Sequence, residues 1–168
     1  MTTSNILSHI IRFLVYILLQ VFILRHIELF SFAFCFLYIG AIIALPKDVN
    51  HSTLIFISFV TGLLVDSFYN TMGMHTAASV LISYLRPYVL LLLTPQRGYD
   101  DKTEFNIHNM GFVWFVSYCG LLTFIHHLFL FFLETSSFNI FFTTTLKVIC
   151  STIFTTAIII IFQYFRKE

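Results

Sequence analysis

The sequence predicts an all-α integral membrane protein with about six transmembrane helices, forming a single domain over residues 1–168. Hydrophobic residues make up 58% of the chain, charged residues only 10%, and the mean hydropathy is +0.91. Soluble domains carry roughly a quarter charged residues, so this composition does not fit one. The long apolar runs also lack the alternation of a transmembrane barrel. Helices must therefore satisfy the backbone polar groups in lipid.

Six apolar stretches define the predicted spans, because a helix needs about twenty apolar residues to cross a bilayer. A polar turn over residues 25–28 ends the first stretch, and Pro46 ends the second because proline breaks a helix. The second and third stretches are short, so five spans remain an alternative in which these two form an unusual hairpin. The predicted spans cover residues 6–24, 30–45, 51–68, 72–93, 110–133 and 139–164.

The distribution of lysine and arginine predicts the orientation, because short cytoplasmic loops are enriched in basic residues. With six spans, both termini share a face with the polar loop over residues 96–108. The opposite face has only Arg25 and Lys147. This asymmetry predicts that both termini and the 96–108 loop are cytoplasmic. The basic residues on the predicted cytoplasmic face are Arg12, Lys47, Arg86, Arg97, Lys102, Arg166 and Lys167.

Composition and motifs exclude several functional classes. A net charge of +1 does not indicate the basic surface that binding to a nucleic acid requires. The cysteines Cys35, Cys119 and Cys150 form no CxxC pair, so neither a zinc site nor a disulfide framework is indicated. No P-loop, nucleophile elbow or metalloprotease helix occurs. We therefore expect no catalytic residue, no metal and no cofactor.

Asp66 is the most informative single residue. It follows an apolar run, and its helix from Thr53 measures roughly 20 Å, which is shorter than the hydrocarbon core of a bilayer. A carboxylate at that depth is costly and marks a candidate site. The favoured interpretation is a capping group for the fourth span, which is predicted to start at Asn70–Gly73, where Gly73 would permit a tight turn or a close backbone contact. Contact with a partner and binding of a ligand or ion are the alternatives.

Other polar residues inside the apolar stretches are predicted to have structural roles. Lys147 can extend towards the outer interface and pair with Glu134 across a short turn, with a substrate site as the alternative. The adjacent His126 and His127 point to different helix faces, so we expect interfacial anchors rather than a chelating pair. Arg86 is expected to mark the cytoplasmic end of the fourth span.

Residues 62–85 contain the block GLLVDSFYNTMGMHTAASVLISYL. This block resembles the rod shape-determining protein MreD family, which typically has Gly, Asp, Gly and Tyr where this chain has Gly62, Asp66, Gly73 and Tyr84. Met72 stands where the family usually has leucine. Chain length and span count are also similar, with weaker likeness over residues 18–20 and 44–46.

The resemblance implies a non-enzymatic component of the bacterial cell-elongation complex, located in the inner membrane. It implies a bitopic MreC-like partner, and through it MreB and the penicillin-binding protein and RodA-type synthases that build lateral peptidoglycan. It also implies a fold similar to the six-helix substrate-binding subunits of energy-coupling-factor transporters. Partner binding would use helix packing at small residues. Gly73 and Ala77 lie one turn apart on the fourth span and, with Ala78 and Ser79, are the candidate face; the alternative is that these small residues pack the fourth span against the third.

Two other functional classes compete with this interpretation. A vitamin-binding transporter subunit is the first alternative, but such subunits often carry small residues spaced one turn apart in the first helix. The first stretch here has no such pair, and few polar residues could line a pocket. An intramembrane enzyme is the second alternative. It would need a nucleophile with a base, or two acids at depth, and the sequence has neither arrangement.

The predicted orientation can be tested by labelling introduced cysteines from each side of the membrane. In a background without native cysteines, Lys102→Cys should react only when the reagent reaches the cytoplasm. The matched control is Asn70→Cys, in the turn on the opposite face, which should react from outside. Labelling of position 102 from the periplasmic side would contradict the orientation.

Overall fold

A computed structural model of the chain describes residues 3–30, 32–47, 49–99, 104–135 and 141–165. Within these ranges the chain is largely helical, with one short hairpin of two-residue strands near the first helix. The elements in chain order are α1 (Thr3–Phe22), a 3-10 turn (Leu24–His26), β1 (Glu28–Leu29), β2 (Ala33–Phe34), α2 (Tyr38–Ile43), α3 (His51–Tyr69), α4 (Met74–Leu92), α5 (Ile107–Met110), α6 (Phe112–Thr135) and α7 (Phe141–Tyr164).

Three of the described helices, α3, α6 and α7, combine the length and the apolar composition needed to cross a membrane. They have 19, 24 and 24 residues, and a helix rises about 1.5 Å per residue against a hydrocarbon core of about 30 Å. Helices α1 and α4 have 20 and 19 residues, so they are of similar length. The predicted helical fold is confirmed, and three helices are compatible with membrane spans, whereas the membrane location and the number of crossings stay predictions.

The long helices pack as two antiparallel pairs joined side by side. Helix α4 returns along α3, and the hydroxyls of Ser58 and Ser83 hydrogen-bond between them. Helix α7 returns along α6, where Thr135 and Thr144 are 3.2 Å apart at their side-chain oxygens. Helix α4 also packs against α6, which joins the two pairs into one bundle.

The second predicted span is wrong as a continuous helix over residues 30–45. The chain instead forms the hairpin β1–β2, in which Glu28 pairs with Phe34 and Leu29 with Ala33. Residues 35–37 follow without regular structure and lead into α2. Helix α2 has six residues and is about 9 Å long, too short to cross a bilayer alone.

Residues 34–45, called the second segment below, are nevertheless the most buried run of the described chain. Within it, Leu37, Tyr38, Ile39 and Ile43 are all 0% exposed. The second segment runs inside the bundle, whereas Phe30 in the turn before it is 93% exposed. Its strongly apolar sequence therefore reflects burial against the other helices, not exposure to lipid.

Side chains from the surrounding helices hydrogen-bond to the backbone of residues 34–36, which precede α2. The Phe34 N–H donates to the Ser151 hydroxyl at 2.9 Å, and the Phe36 N–H donates to the Thr155 hydroxyl at 3.1 Å. The Gln20 side-chain amide donates to the Cys35 carbonyl at 3.0 Å. Irregular backbone at membrane depth is tolerated only where protein groups supply such partners. These contacts explain how residues 34–36 avoid forming a helix.

The remaining predicted spans correspond to α1, α3, α4, α6 and α7, with ends that differ by a few residues. The fifth predicted span starts too early, because Gly111 has a positive φ of 82° and separates α5 from α6. Residues 139 and 140, at the predicted start of the sixth span, lie outside the described residues.

Removing the Thr155 hydroxyl tests the role of side chains in holding the second segment. Thr155→Val leaves the Phe36 N–H and the Phe34 carbonyl without this partner, so the free energy of unfolding should fall by about 1–3 kcal/mol. Thermal unfolding in mild detergent measures the change. The matched control is Thr145→Val on the same helix, because the one hydrogen bond that Thr145 makes with described residues goes to the Phe141 carbonyl of its own helix. Equal effects of the two substitutions would contradict this role.

Candidate functional site

The Asp66 carboxylate on α3 caps the N-terminus of α4. Its Oδ1 accepts hydrogen bonds from the Thr71 hydroxyl at 2.5 Å and the His75 N–H at 3.0 Å. Its Oδ2 accepts from the N–H and the hydroxyl of Thr76, at 2.9 and 2.5 Å. The first N–H groups of a helix lack partners within the helix and carry partial positive charge. In this structure Asp66 therefore acts as a capping group supplied by a neighbouring helix.

The turn between α3 and α4 requires two residues in the left-handed conformation. Asn70 has φ 56° and Gly73 has φ 81°. Nothing lies within 4 Å of the position that a Cβ of Gly73 would occupy. Glycine is favoured at position 73 because of this backbone conformation, rather than because of a steric contact.

Gly62 lies where the backbones of α3 and α4 touch. A Cβ at this position would be 2.4 Å from the Thr76 Cα and 2.9 Å from the His75 carbonyl oxygen. Only glycine allows this approach, which brings Asp66, one turn further along α3, within reach of Thr76. Gly62, Asp66 and Gly73 therefore form one unit that joins α3 to α4. Their sequence spacing reflects this local geometry.

Two predicted contact residues, Ala77 and Tyr84, lie on the outer face of α4. Ala77 is exposed, and the half-exposed Tyr84 ring lies 5.8 Å from His51 and 5.9 Å from Tyr88. In contrast, Ala78 and Ser79 are fully buried. They face the bundle interior, so including them in the partner face was wrong.

Glu134 and Lys147 are not brought together. Glu134 is exposed near the end of α6, and Lys147 is half-buried with its ammonium nitrogen 5.7 Å from the centre of the Phe34 ring. Among the described residues no ion pair joins the two side chains. The Lys147 side chain instead packs over Phe34 of β2, which lies in the range 30–45 that was predicted as one helix.

His126 and His127 are buried in the centre of the bundle, so their assignment as interfacial anchors was wrong. The Tyr38 hydroxyl lies 2.6 Å from His126 Nε2 and 3.0 Å from His75 Nδ1. A neutral imidazole has one donor and one acceptor, so the hydroxyl can donate to one ring and accept from the other. This arrangement links the second segment to both α4 and α6.

His127 extends this buried polar network to α7. Its Nδ1 lies 2.7 Å from the Thr123 carbonyl oxygen, and its Nε2 lies 3.3 Å from the Thr155 hydroxyl that also holds the second segment. The Phe36 ring lies between the histidines, 5.3 Å from the His127 ring. Within the described ranges no group of three or more His, Cys, Asp or Glu side chains could hold a metal ion. These histidines position the second segment through hydrogen bonds and ring packing.

Arg86 is 3% exposed, although the sequence placed it at the cytoplasmic boundary. Its Nε donates to the Tyr118 hydroxyl at 2.6 Å, and Nη2 donates to the Leu45 carbonyl. The guanidinium carbon lies 5.4 Å from the centre of the Phe105 ring. Arg86 therefore binds the C-terminal end of the second segment through the Leu45 carbonyl. Sequence reasoning missed this role because the partners are remote in the chain.

Comparison of the chain with protein-family models, with curated proteins and with solved structures gives no match. The likeness of residues 62–85 to MreD, and the similarity to energy-coupling-factor subunits that it implies, therefore stay predictions.

The close contact at Gly62 predicts a large difference between two glycine substitutions. Gly62→Ala should lower the free energy of unfolding by about 1–3 kcal/mol, because the new methyl group forces α3 and α4 apart. Gly120→Ala on α6 is the control. Its Cβ would have nothing within 4 Å, so stability should stay equal or rise by up to about 1 kcal/mol. Thermal unfolding in detergent compares the two, and an unchanged Gly62→Ala protein would contradict the close contact.

Proposed function

We propose that this chain is a non-enzymatic, multi-pass scaffold of the bacterial inner membrane that acts in cell elongation by binding an MreC-like bitopic partner. One observation carries the proposal. The block that resembles MreD forms a rigid α3–α4 unit through Gly62, Asp66 and Gly73. These residues act on the backbone rather than on a substrate, as a scaffold requires.

The proposed contact surface is the outer face of α4. Ala77, Tyr84 and Tyr88 recur at helical spacing, and Tyr84 and Tyr88 are 49% and 60% exposed. A small residue near one end allows close approach of a partner helix, and the tyrosine hydroxyls can hydrogen-bond across the contact. The partner would link the scaffold to MreB and to the penicillin-binding protein and RodA-type synthases.

The path of the chain between α1 and α3 supports six crossings without six full helices. At one end, the Arg25 guanidinium lies over the ring of Tyr69, the last residue of α3. At the other end, the Lys47 ammonium donates to the carbonyl of Tyr99, whose hydroxyl donates to Leu90 near the end of α4. Helix α4 runs antiparallel to α3, so these are opposite ends of the bundle and residues 25–47 pass from one to the other. With six crossings, both termini lie on one side, which we propose is the cytoplasm.

The transporter alternative would need a ligand pocket with convergent polar groups. The Phe36 and Tyr38 side chains fill the space between α4 and α6, where they contact His75 and His126. Tyr38 hydrogen-bonds to His75 and His126, so protein side chains occupy the centre of the bundle, which supports a scaffold rather than a substrate site at that place.

Depletion of the protein in a rod-shaped host should produce round cells while uptake of vitamins stays unchanged. Loss of uptake of one vitamin with normal cell shape would favour the transporter alternative instead.

A substitution on the proposed surface tests the contact itself. Ala77→Leu should reduce co-purification of the MreC-like partner about tenfold, because added bulk blocks close approach. The matched control is Ala157→Leu, the same change at an exposed position of α7. Both variants should remain inserted and folded by thermal unfolding. Equal partner recovery from the two variants would contradict binding at this face.

A further inference from the structure

A cavity of about 290 Å³ lies where the second segment, α3 and the end of α4 meet. Two cationic side chains from different parts of the chain, Lys47 and Arg86, line it together with the His51 imidazole. None of the described residues that line the cavity is acidic. Clustered positive charge in a concave site of this kind raises the local concentration of anions.

The positive charge of Arg86 is buried, and the described residues place no countercharge within ion-pair distance of it. The two described hydrogen bonds of its guanidinium go to neutral oxygens, those of Tyr118 and Leu45. No carboxylate in the described part of the chain forms an ion pair with it. A guanidinium has five N–H donors arranged in a fork, so donors remain for a further acceptor. A buried charge is costly unless an opposite charge accompanies it.

Lys47 stands at the rim of the same cavity. Its ammonium donates to the Tyr99 carbonyl at 3.4 Å and lies 5.8 Å from the Tyr99 ring. These contacts hold the ammonium near the opening without neutralising its charge. An arginine fork together with a lysine point charge is a combination suited to a phosphate group.

The other walls of the cavity are apolar and reach the outer surface of α4. Leu54 and Leu90 lie inside, whereas Leu91 is 78% exposed. Ligand pockets commonly measure about 300–1,000 Å³, so this cavity has room for a headgroup but not for a whole lipid. Acyl chains attached to a bound phosphate could lie along the exposed apolar side chains outside.

We infer that this cavity binds a phosphate group, with Arg86 and Lys47 as its ligands. The headgroup of an anionic membrane lipid and free phosphate share this chemistry. The apolar wall and its exposed edge at Leu91 favour the lipid. Basic pockets between membrane helices on the cytoplasmic side bind anionic lipid headgroups by the same physics. The inference is independent of the proposed elongation partner.

The test uses the purified full-length chain in an uncharged detergent and measures thermal unfolding while a ligand is titrated. The probes are short-chain phosphatidylglycerol, inorganic phosphate and a short-chain diacylglycerol that lacks phosphate. We expect saturable stabilisation by phosphatidylglycerol and none by diacylglycerol. Stabilisation by inorganic phosphate of similar strength would identify free phosphate as the source. Stabilisation by all three probes, or by none, would overturn the site.

Variants locate the binding to this cavity. Lys47→Gln should weaken phosphatidylglycerol binding roughly tenfold, as loss of one charge-assisted hydrogen bond predicts. Arg97→Gln removes the same charge from an exposed neighbouring position that does not line the cavity, and it should change affinity less than twofold. Arg86→Lys keeps the charge but loses the fork, so it should also weaken binding. Equal affinities of the Lys47→Gln and Arg97→Gln proteins would overturn the assignment.

Discussion

The fold depends on how the backbone of the buried second segment is hydrogen-bonded, since only Tyr38–Ile43 of it are helical. In an apolar environment every N–H and C=O group needs a partner, and a segment that is neither helix nor sheet cannot supply its own. In this protein the neighbouring helices supply the hydrogen-bond partners. Ser151 and Thr155 of α7 hydrogen-bond to the first residues of the segment, and Gln20 of α1 hydrogen-bonds to its middle. Arg86 and Tyr118 hydrogen-bond to carbonyls at its C-terminal end. The polar residues of these apolar helices are therefore largely directed inward.

The same requirement explains the Asp66 unit. The start of α4 would leave N–H groups unpaired near the end of α3, and the Asp66 carboxylate satisfies those of His75 and Thr76. Gly62 allows the approach and Gly73 forms the turn. Residues that resemble a family motif thus serve to build a rigid helix pair. The outer face of that pair stays available for a partner helix.

Local features of this fold were predictable and long-range features were not. Long apolar stretches predicted α1, α3, α4, α6 and α7 to within a few residues, because length and composition are local properties. The spacing of Asp66 and Gly73 predicted a cap and a turn for the same reason. The prediction of a helix for the second segment failed because its apolar composition fits a buried extended chain as well as a helix. Its partners, such as Thr155, lie more than a hundred residues away in sequence. His126, His127 and Arg86 were misplaced as a consequence, since their burial depends on that segment.

Residue-resolved amide hydrogen exchange by NMR, on the protein in lipid nanodiscs, tests most directly whether side chains hold the second segment. The amides of Phe34 and Phe36 should exchange slowly in the native protein, because each is bonded to a hydroxyl of α7. Ser151→Ala should accelerate exchange at Phe34 and leave Phe36 slow. If residues 30–45 formed a continuous helix, both amides would keep their helical partners and the substitution would change neither rate. That result would contradict a second segment held by side chains.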